Sequence, residues 1–199
     1  MNTSKIKRSP GRPKREEHDA TIDQTILRTA SQLFMDYGYE AVSLQQIAKA
    51  CGITKASIYY HFESKAKLFT TSVTSMLNLA KMHTLRIMEQ DKPLYDRLEQ
   101  LAEVKLAKPH GDFEMIMREA RPTLSAEQLQ LIISAEENIH DVLIDSFQQS
   151  MDTGEIRPGN ALFLAHTFAS LITIGNKEIT SSLGNLSHNL IELFWNGMK

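Results

Sequence analysis

Cysteine is almost absent from this 199-residue chain, which has one, Cys51. A lone cysteine cannot close an internal disulfide, so packing has to hold the fold, and the reducing cytoplasm is the expected compartment. Long apolar runs are missing too. No stretch approaches the roughly 18 residues of a membrane span and none reads as a signal peptide, so no membrane is expected as a partner. The short patterns of common chemistry are also lacking: there is no phosphate-cradling glycine loop and no nucleophile elbow. Seven scattered histidines and one cysteine give no zinc spacing. Glu137 and His140 have the Glu-x-x-His spacing of a carboxylate-bridged metal site, but a bundle of that kind needs a second pair, which the chain does not have. No catalytic residue, metal, cofactor or enzymatic activity is therefore expected. Strand-period segments are absent as well, and the class expected is all-α.

What the chain does have is a lopsided charge. Residues 1–70 hold 11 Lys and Arg against 7 Asp and Glu, while residues 71–199 hold 11 against 17. A basic end on an acidic remainder suits a chain that meets a polyanion with one part only. The positive charge is densest in residues 1–18, which have no apolar periodicity and are expected to be a disordered arm. Within the arm, Gly11-Arg12-Pro13-Lys14-Arg15 resembles the core of an AT-hook. Gly11 permits close approach, Pro13 keeps the chain extended, and the negative potential of a narrow minor groove attracts arginine. The alternative is a generic basic arm that contacts only phosphates.

Ser43 to Lys65 reads as two short helices around a tight turn. Ser43 and Gln46 form a capping box, Leu44, Ile47 and Ala48 make an apolar face, and Gly52 supplies the reversal. Thr54 caps the second helix, which offers Lys55, Ala56 and Ser57 in its first turn and Tyr59, Tyr60 and His61 in its next. Short side chains at the start and hydroxyls behind them suit the major groove of DNA. Before this unit, a helix is expected from Ile22 to about Tyr37, with Thr21 and Gln24 as its capping box and Gly38 as its stop. After it, helical stripes recur to the end of the chain. A long fourth helix starts at Ser64, others follow near Pro93, Phe113 and Ser125, and an eighth and ninth begin near Asn160 and Leu186.

These residues bring a family into view. Ala30, Leu33, Phe34, Tyr37-Gly38-Tyr39, Val42-Ser43, Ile47-Ala48, Gly52-Ile53-Thr54, Ile58 to Phe62, Ser64-Lys65 and Leu68 together resemble the TetR family of bacterial transcriptional regulators. The resemblance spans Ile22 to Phe69, about a quarter of the chain. It implies a helix-turn-helix DNA-binding domain over 19–66 and a helical ligand-binding and dimerisation domain over 67–199. Carried over position by position, Gln45, Lys55, Ala56, Ser57 and Tyr60 would face bases of double-stranded DNA. Ser43, Thr54, Tyr59, His61 and Lys65 would meet phosphates, His61 having a helix-end cap as its alternative role. A pocket for a small apolar or amphipathic effector would draw on Met76, Phe113, Met117, His140, Phe147 and Phe168, each of which has plain core packing as its alternative. The last two helices would pair with a second copy through Leu164, Phe168, Leu171, Leu186, Leu190, Leu193 and Phe194. The expected function is a ligand-responsive repressor that binds a pseudo-palindromic operator as a homodimer and is released by a small molecule. The fourth helix would carry the coupling. A nucleoid-associated or protein-partner factor of the same fold, without an inducer, is the alternative.

Overall fold

Local capping decides most of the helix boundaries in this chain. The computed structural model describes residues 15–107, 113–175 and 185–198, with side chains from residue 21. Among them, helices α1 (Arg15–Tyr37), α2 (Leu44–Cys51), α3 (Lys55–Phe62) and α4 (Lys65–Met88) come first. They are followed by α5 (Leu94–Leu106), α6 (Phe113–Ala120) with a short 3₁₀ turn at Arg121–Thr123, α7 (Ala126–Asp152), α8 (Ala161–Gly175) and α9 (Leu186–Asn196). The described residues contain no strand, and the all-α expectation holds. Both capping boxes around Ser43 and Ser125 form as expected. Asn160 caps α8 by accepting the Phe163 N–H at 2.9 Å.

The first helix departs from expectation. It begins at Arg15, and Thr21 lies inside it, the Thr25 hydroxyl donating to the Thr21 carbonyl at 2.9 Å in the manner of a helix interior. Apolar spacing marks only the buried part of a helix. The preceding Glu-Glu-His-Asp-Ala contains no breaker, so helix propensity carries α1 outward beyond the apolar stripe. Arg15, expected in the arm, is thus the first residue of α1, while Gly11, Arg12, Pro13 and Lys14 lie outside the described residues.

The apolar interior falls into two clusters. The first joins Ile26, Phe34, Ile47, Ile58 and Phe69 of α1–α4 to Ile116, Ala120 and Ile132 of α6 and α7. The second gathers Leu94, Leu98, Leu101, Phe147, Phe168 and Phe194 from α5, α7, α8 and α9. The long helices α4 and α7 pack along each other and run through both clusters. Hence α6 and the first half of α7 share a core with the N-terminal helices. No helix among the described residues is long and apolar enough to cross a membrane.

A polar knot closes the second cluster. Arg97, 8% exposed, donates to the Met88 carbonyl at 2.6 Å and comes within 3.7 Å of Glu155. Glu155 also accepts from the Leu94 backbone N–H and, at 3.0 Å, from the Ser150 hydroxyl. One carboxylate therefore ties the end of α7 to the start of α5. Removing it strands a buried guanidinium and an N–H that has lost its partner, which outweighs any gain from relaxation. Glu155→Ala is expected to cost about 2–3 kcal/mol of stability, read as a fall in the urea midpoint at unchanged slope. A loss below about 0.5 kcal/mol would mean that water replaces the carboxylate without penalty.

Candidate nucleic-acid interface

The short helix α3 owes its position to two buried anchors, Ile58 and Phe62, which leave the opposite side of the helix to solvent. On that side Lys55, Ala56, Tyr59 and Tyr60 are exposed, Tyr60 at 76%, and Gln45 of α2 joins them. Between the two helices Gly52 adopts φ 69°, left-handed backbone in which a side chain would be strained, and its N–H reaches the Lys49 carbonyl. Lys55 sits 5.6 Å above the Tyr59 ring. The face thus presents a cation, a carboxamide and two phenols around one alanine, a set suited to base edges and phosphates in a groove the width of a helix.

Several residues expected to touch DNA are already occupied. Thr54 accepts the Ser57 N–H at 3.1 Å, and its hydroxyl lies 2.9 Å from that of Ser57. Ser43 donates to Gln46 at 2.7 Å within its capping box. These hydroxyls hold the helices first. Ser57 is half-buried. His61 differs more: its side chain is only 11% exposed, and its Nδ1 lies 2.6 Å from Asp23 of α1. The contact joins α3 to α1. Lys65 is also turned inward. Its ammonium lies 4.3 Å above the Tyr39 ring and 3.5 Å from the Glu40 carbonyl. Burial pushes its pKa below the ordinary lysine value, against the opposing pull of Glu40 and Glu119.

Tyr39 and Glu40 lead to a contact that sequence spacing does not reveal. Tyr39 is buried between Phe34 and Phe69, with ring centroids 5.8 and 4.9 Å away. Its hydroxyl receives a hydrogen bond from Thr123, just after α6, at 2.8 Å. Glu119 of α6 accepts the Glu40 backbone N–H at 3.1 Å. Gly38, at φ 87°, makes room for this carboxylate, since a Cβ there would stand 2.9 Å from it. The turn between α1 and α2 is therefore clasped by α6. Residues 119 and 123 are some eighty positions from the turn, and no local signal could have found them.

The same α6 forms one wall of a cavity of about 300 Å³ against α7. Phe113, Met117, Leu129, Ile132 and Ile133 supply its apolar lining, and Glu114, Arg118, Arg121 and Glu136 its charges. Of the six residues expected in a pocket, Phe113 and Met117 are here. Phe147 and Phe168 instead pack on Phe194 in the second cluster, at 5.9 and 5.8 Å. Met76 packs against the first cluster. His140 stacks edge-on with His166 at 4.7 Å, away from the cavity, where burial holds its pKa below the ordinary histidine value. The expected interface residues Phe168 and Phe194 are 2% and 7% exposed and belong to the chain's own core. Leu164, Leu171, Leu186 and Leu190 are half-buried. The apolar side chains left outside on these helices are Leu162, Phe163 and Ile174 of α8 and Leu193 of α9.

Comparison with known proteins places this geometry. Residues 26–71 match the model for bacterial regulatory proteins of the tetR family. The biofilm operon icaADBC HTH-type negative transcriptional regulator IcaR of Staphylococcus aureus is 37% identical over 70 residues, 35% of this chain. The match spans 37% of IcaR, little more than a third of its length. Escherichia coli NemR in its reduced form shares the fold with a TM-score of 0.77 at 16% identity, over 90% of this chain and 97% of NemR. AibR, solved with isovaleryl coenzyme A and operator DNA, shares it with a TM-score of 0.67 at 24% identity, over 86% and 97% of the two chains.

The division of labour on this face predicts two different mutant signatures. Lys55→Ala is expected to alter the sequences recovered from a random duplex library and to reduce the salt slope of binding by about one unit. By contrast, His61→Ala is expected to cost about 1–2 kcal/mol of stability and to leave the slope unchanged. A reduced slope for His61→Ala would show that the ring leaves Asp23 to meet a phosphate.

Proposed function

We propose that this chain, a TetR-family transcriptional regulator, is a homodimeric repressor that leaves a pseudo-palindromic operator when a small molecule enters the cavity between α6 and α7. One observation carries the reading: the helix that walls the cavity is the helix that clasps the α1–α2 turn of the DNA-binding unit. An occupant that moves α6 acts on Glu119 and Thr123. Each of those hydrogen bonds contributes about 0.5–1.5 kcal/mol net, so together they match the 1–3 kcal/mol, or 5- to 150-fold, of typical allosteric coupling. By reciprocity, a ligand that prefers the unclasped turn weakens DNA binding by the factor by which DNA weakens the ligand. The long α4, which starts at the DNA-binding unit and ends in the second core, gives the same displacement a second route.

Support for repression and for an effector comes from relatives. IcaR is a negative regulator, and AibR was solved with both an acyl-coenzyme A and operator DNA. Dimerisation is supported by the exposed Leu162, Phe163, Ile174 and Leu193, which form apolar surface on the two last helices. Two copies give two reading helices, and the second half-site then binds at high effective concentration.

Mapping of genomic fragments retained by the purified protein at physiological salt is expected to return a few sharp sites sharing one inverted repeat. Broad retention that follows A/T content, with no repeat, would instead favour the inducer-free architectural reading and move the weight onto the basic arm. In sedimentation, Phe163→Glu combined with Leu193→Glu is expected to yield a monomer whose affinity for such a site is at least about a hundredfold lower. A dimer that survives both changes would remove α8 and α9 from the interface.

A further inference from the structure

We infer that the cavity between α6 and α7 takes an organic cation with an apolar body, its positive charge seated against Glu136 and Glu114. This deepens the effector reading above and rests on it for any consequence at the operator. The walls set the body of the ligand: Met117, Ile132 and Ile133 are apolar, and Phe113 adds an aromatic ring. A cavity of about 300 Å³ matches the small end of ligand-binding pockets.

The charge comes from the distribution of carboxylates and cations around it. Glu136 of α7 is half-buried in the wall, whereas Glu114 and Arg118 of α6 and Arg121 of the following 3₁₀ turn are exposed. Burial raises the pKa of Glu136, and the charges of Glu114 and Glu137 raise it further. The lysine that α4 sends to this stretch of α7, Lys81, is held by Asn138 at 3.0 Å. A carboxylate drawn out of water beside two more carboxylates lacks a counter-charge. An ammonium entering between the apolar walls supplies one, and it interacts favourably with the face of Phe113 as well.

Three probes of one shape separate the possibilities: phenyltrimethylammonium, its neutral isostere tert-butylbenzene, and the anion 4-tert-butylbenzoate. Binding is followed in the full chain by NMR of methionine ε-methyl groups, with the Met117 resonance assigned through Met117→Leu. Phenyltrimethylammonium is expected to shift Met117 saturably and to bind at least about tenfold more tightly than tert-butylbenzene. Glu136→Gln should abolish that advantage. Because the cation binds the ionised carboxylate, its affinity should strengthen as pH rises through the raised Glu136 value and level off above it; in Glu136→Gln this dependence should vanish. Equal or tighter binding of tert-butylbenzene, tighter binding of 4-tert-butylbenzoate, or no saturable shift at Met117 would each overturn the inference. Operator release is read separately, on the mapped site. A cation that fills the cavity and leaves DNA bound would uphold the ligand class and remove the effector reading, whereas a neutral ligand that releases DNA would do the reverse.

Discussion

Glu119 of α6 accepts the backbone N–H of Glu40 across the space left by the missing side chain of Gly38. The helices on either side of the turn have ended before they can supply an acceptor, so a carboxylate from a distant helix serves instead. Tyr39, between the two glycine-permitted and acid-capped positions, is fixed by the rings of Phe34 and Phe69 and by Thr123. The direction in which α2 leaves this turn, and with it the direction of α3, therefore depends on α6 as well as on the three N-terminal helices. That is why the first apolar cluster includes Ile116, Ala120 and Ile132: the DNA-binding unit is packed on the helix that tethers it.

The reading face follows from what this constraint leaves free. Hydroxyls that a sequence comparison assigns to phosphates, those of Ser43 and Thr54, already cap helices, and the two cations nearest the turn are tied differently. Lys65 lies on Tyr39, and His61 lies against Asp23. A lysine over an aromatic ring gains roughly 0.5–1 kcal/mol at a partly exposed site, comparable to a single exposed ion pair. Moving it to a phosphate is therefore a near-balanced exchange. Among the described residues, Gln45, Lys55 and Tyr60 show no such ties to another helix.

How far the sequence revealed this depended on distance along the chain. The α2–α3 unit was legible because its signals are local: Ser43 with Gln46, Gly52 and Thr54 sit within a dozen positions and act on their own neighbours. Helices α4 to α9 were legible as stripes. Less could be read about which aromatic side chains line a cavity, since Phe147 and Phe113 both show helical apolar spacing and only the approach of α8 and α9 makes the first a core residue. The Asp23 contact of His61 is not legible because Asp23 lies on another helix, and the start of α1 is not legible because the apolar stripe that marks the helix begins only at Ile22. The Glu119 clasp left no trace at all, being one carboxylate among several on an amphipathic helix.

Placement of the cavity limits how a ligand can act. It lies in the first apolar cluster, beside the tethered turn, whereas the exposed leucines and phenylalanine of α8 and α9 lie on the second. On the proposed reading, a ligand there need not be felt at a subunit interface to change the DNA-binding unit of its own chain. If each chain loses only the two clasp bonds, the coupling per chain is about 1–3 kcal/mol. In a dimer the two losses multiply as affinities, since both half-sites must be held at once, and about 1.5 kcal/mol per chain then becomes more than a hundredfold at the operator. Two weak hydrogen bonds per chain are thus sufficient for a switch, provided that the dimer interface stays rigid while α6 moves. In the second cluster Arg97 and Glu155 tie α5 to α7 and Phe168 packs on Phe194, which would supply that rigidity to the interface proposed on α8 and α9.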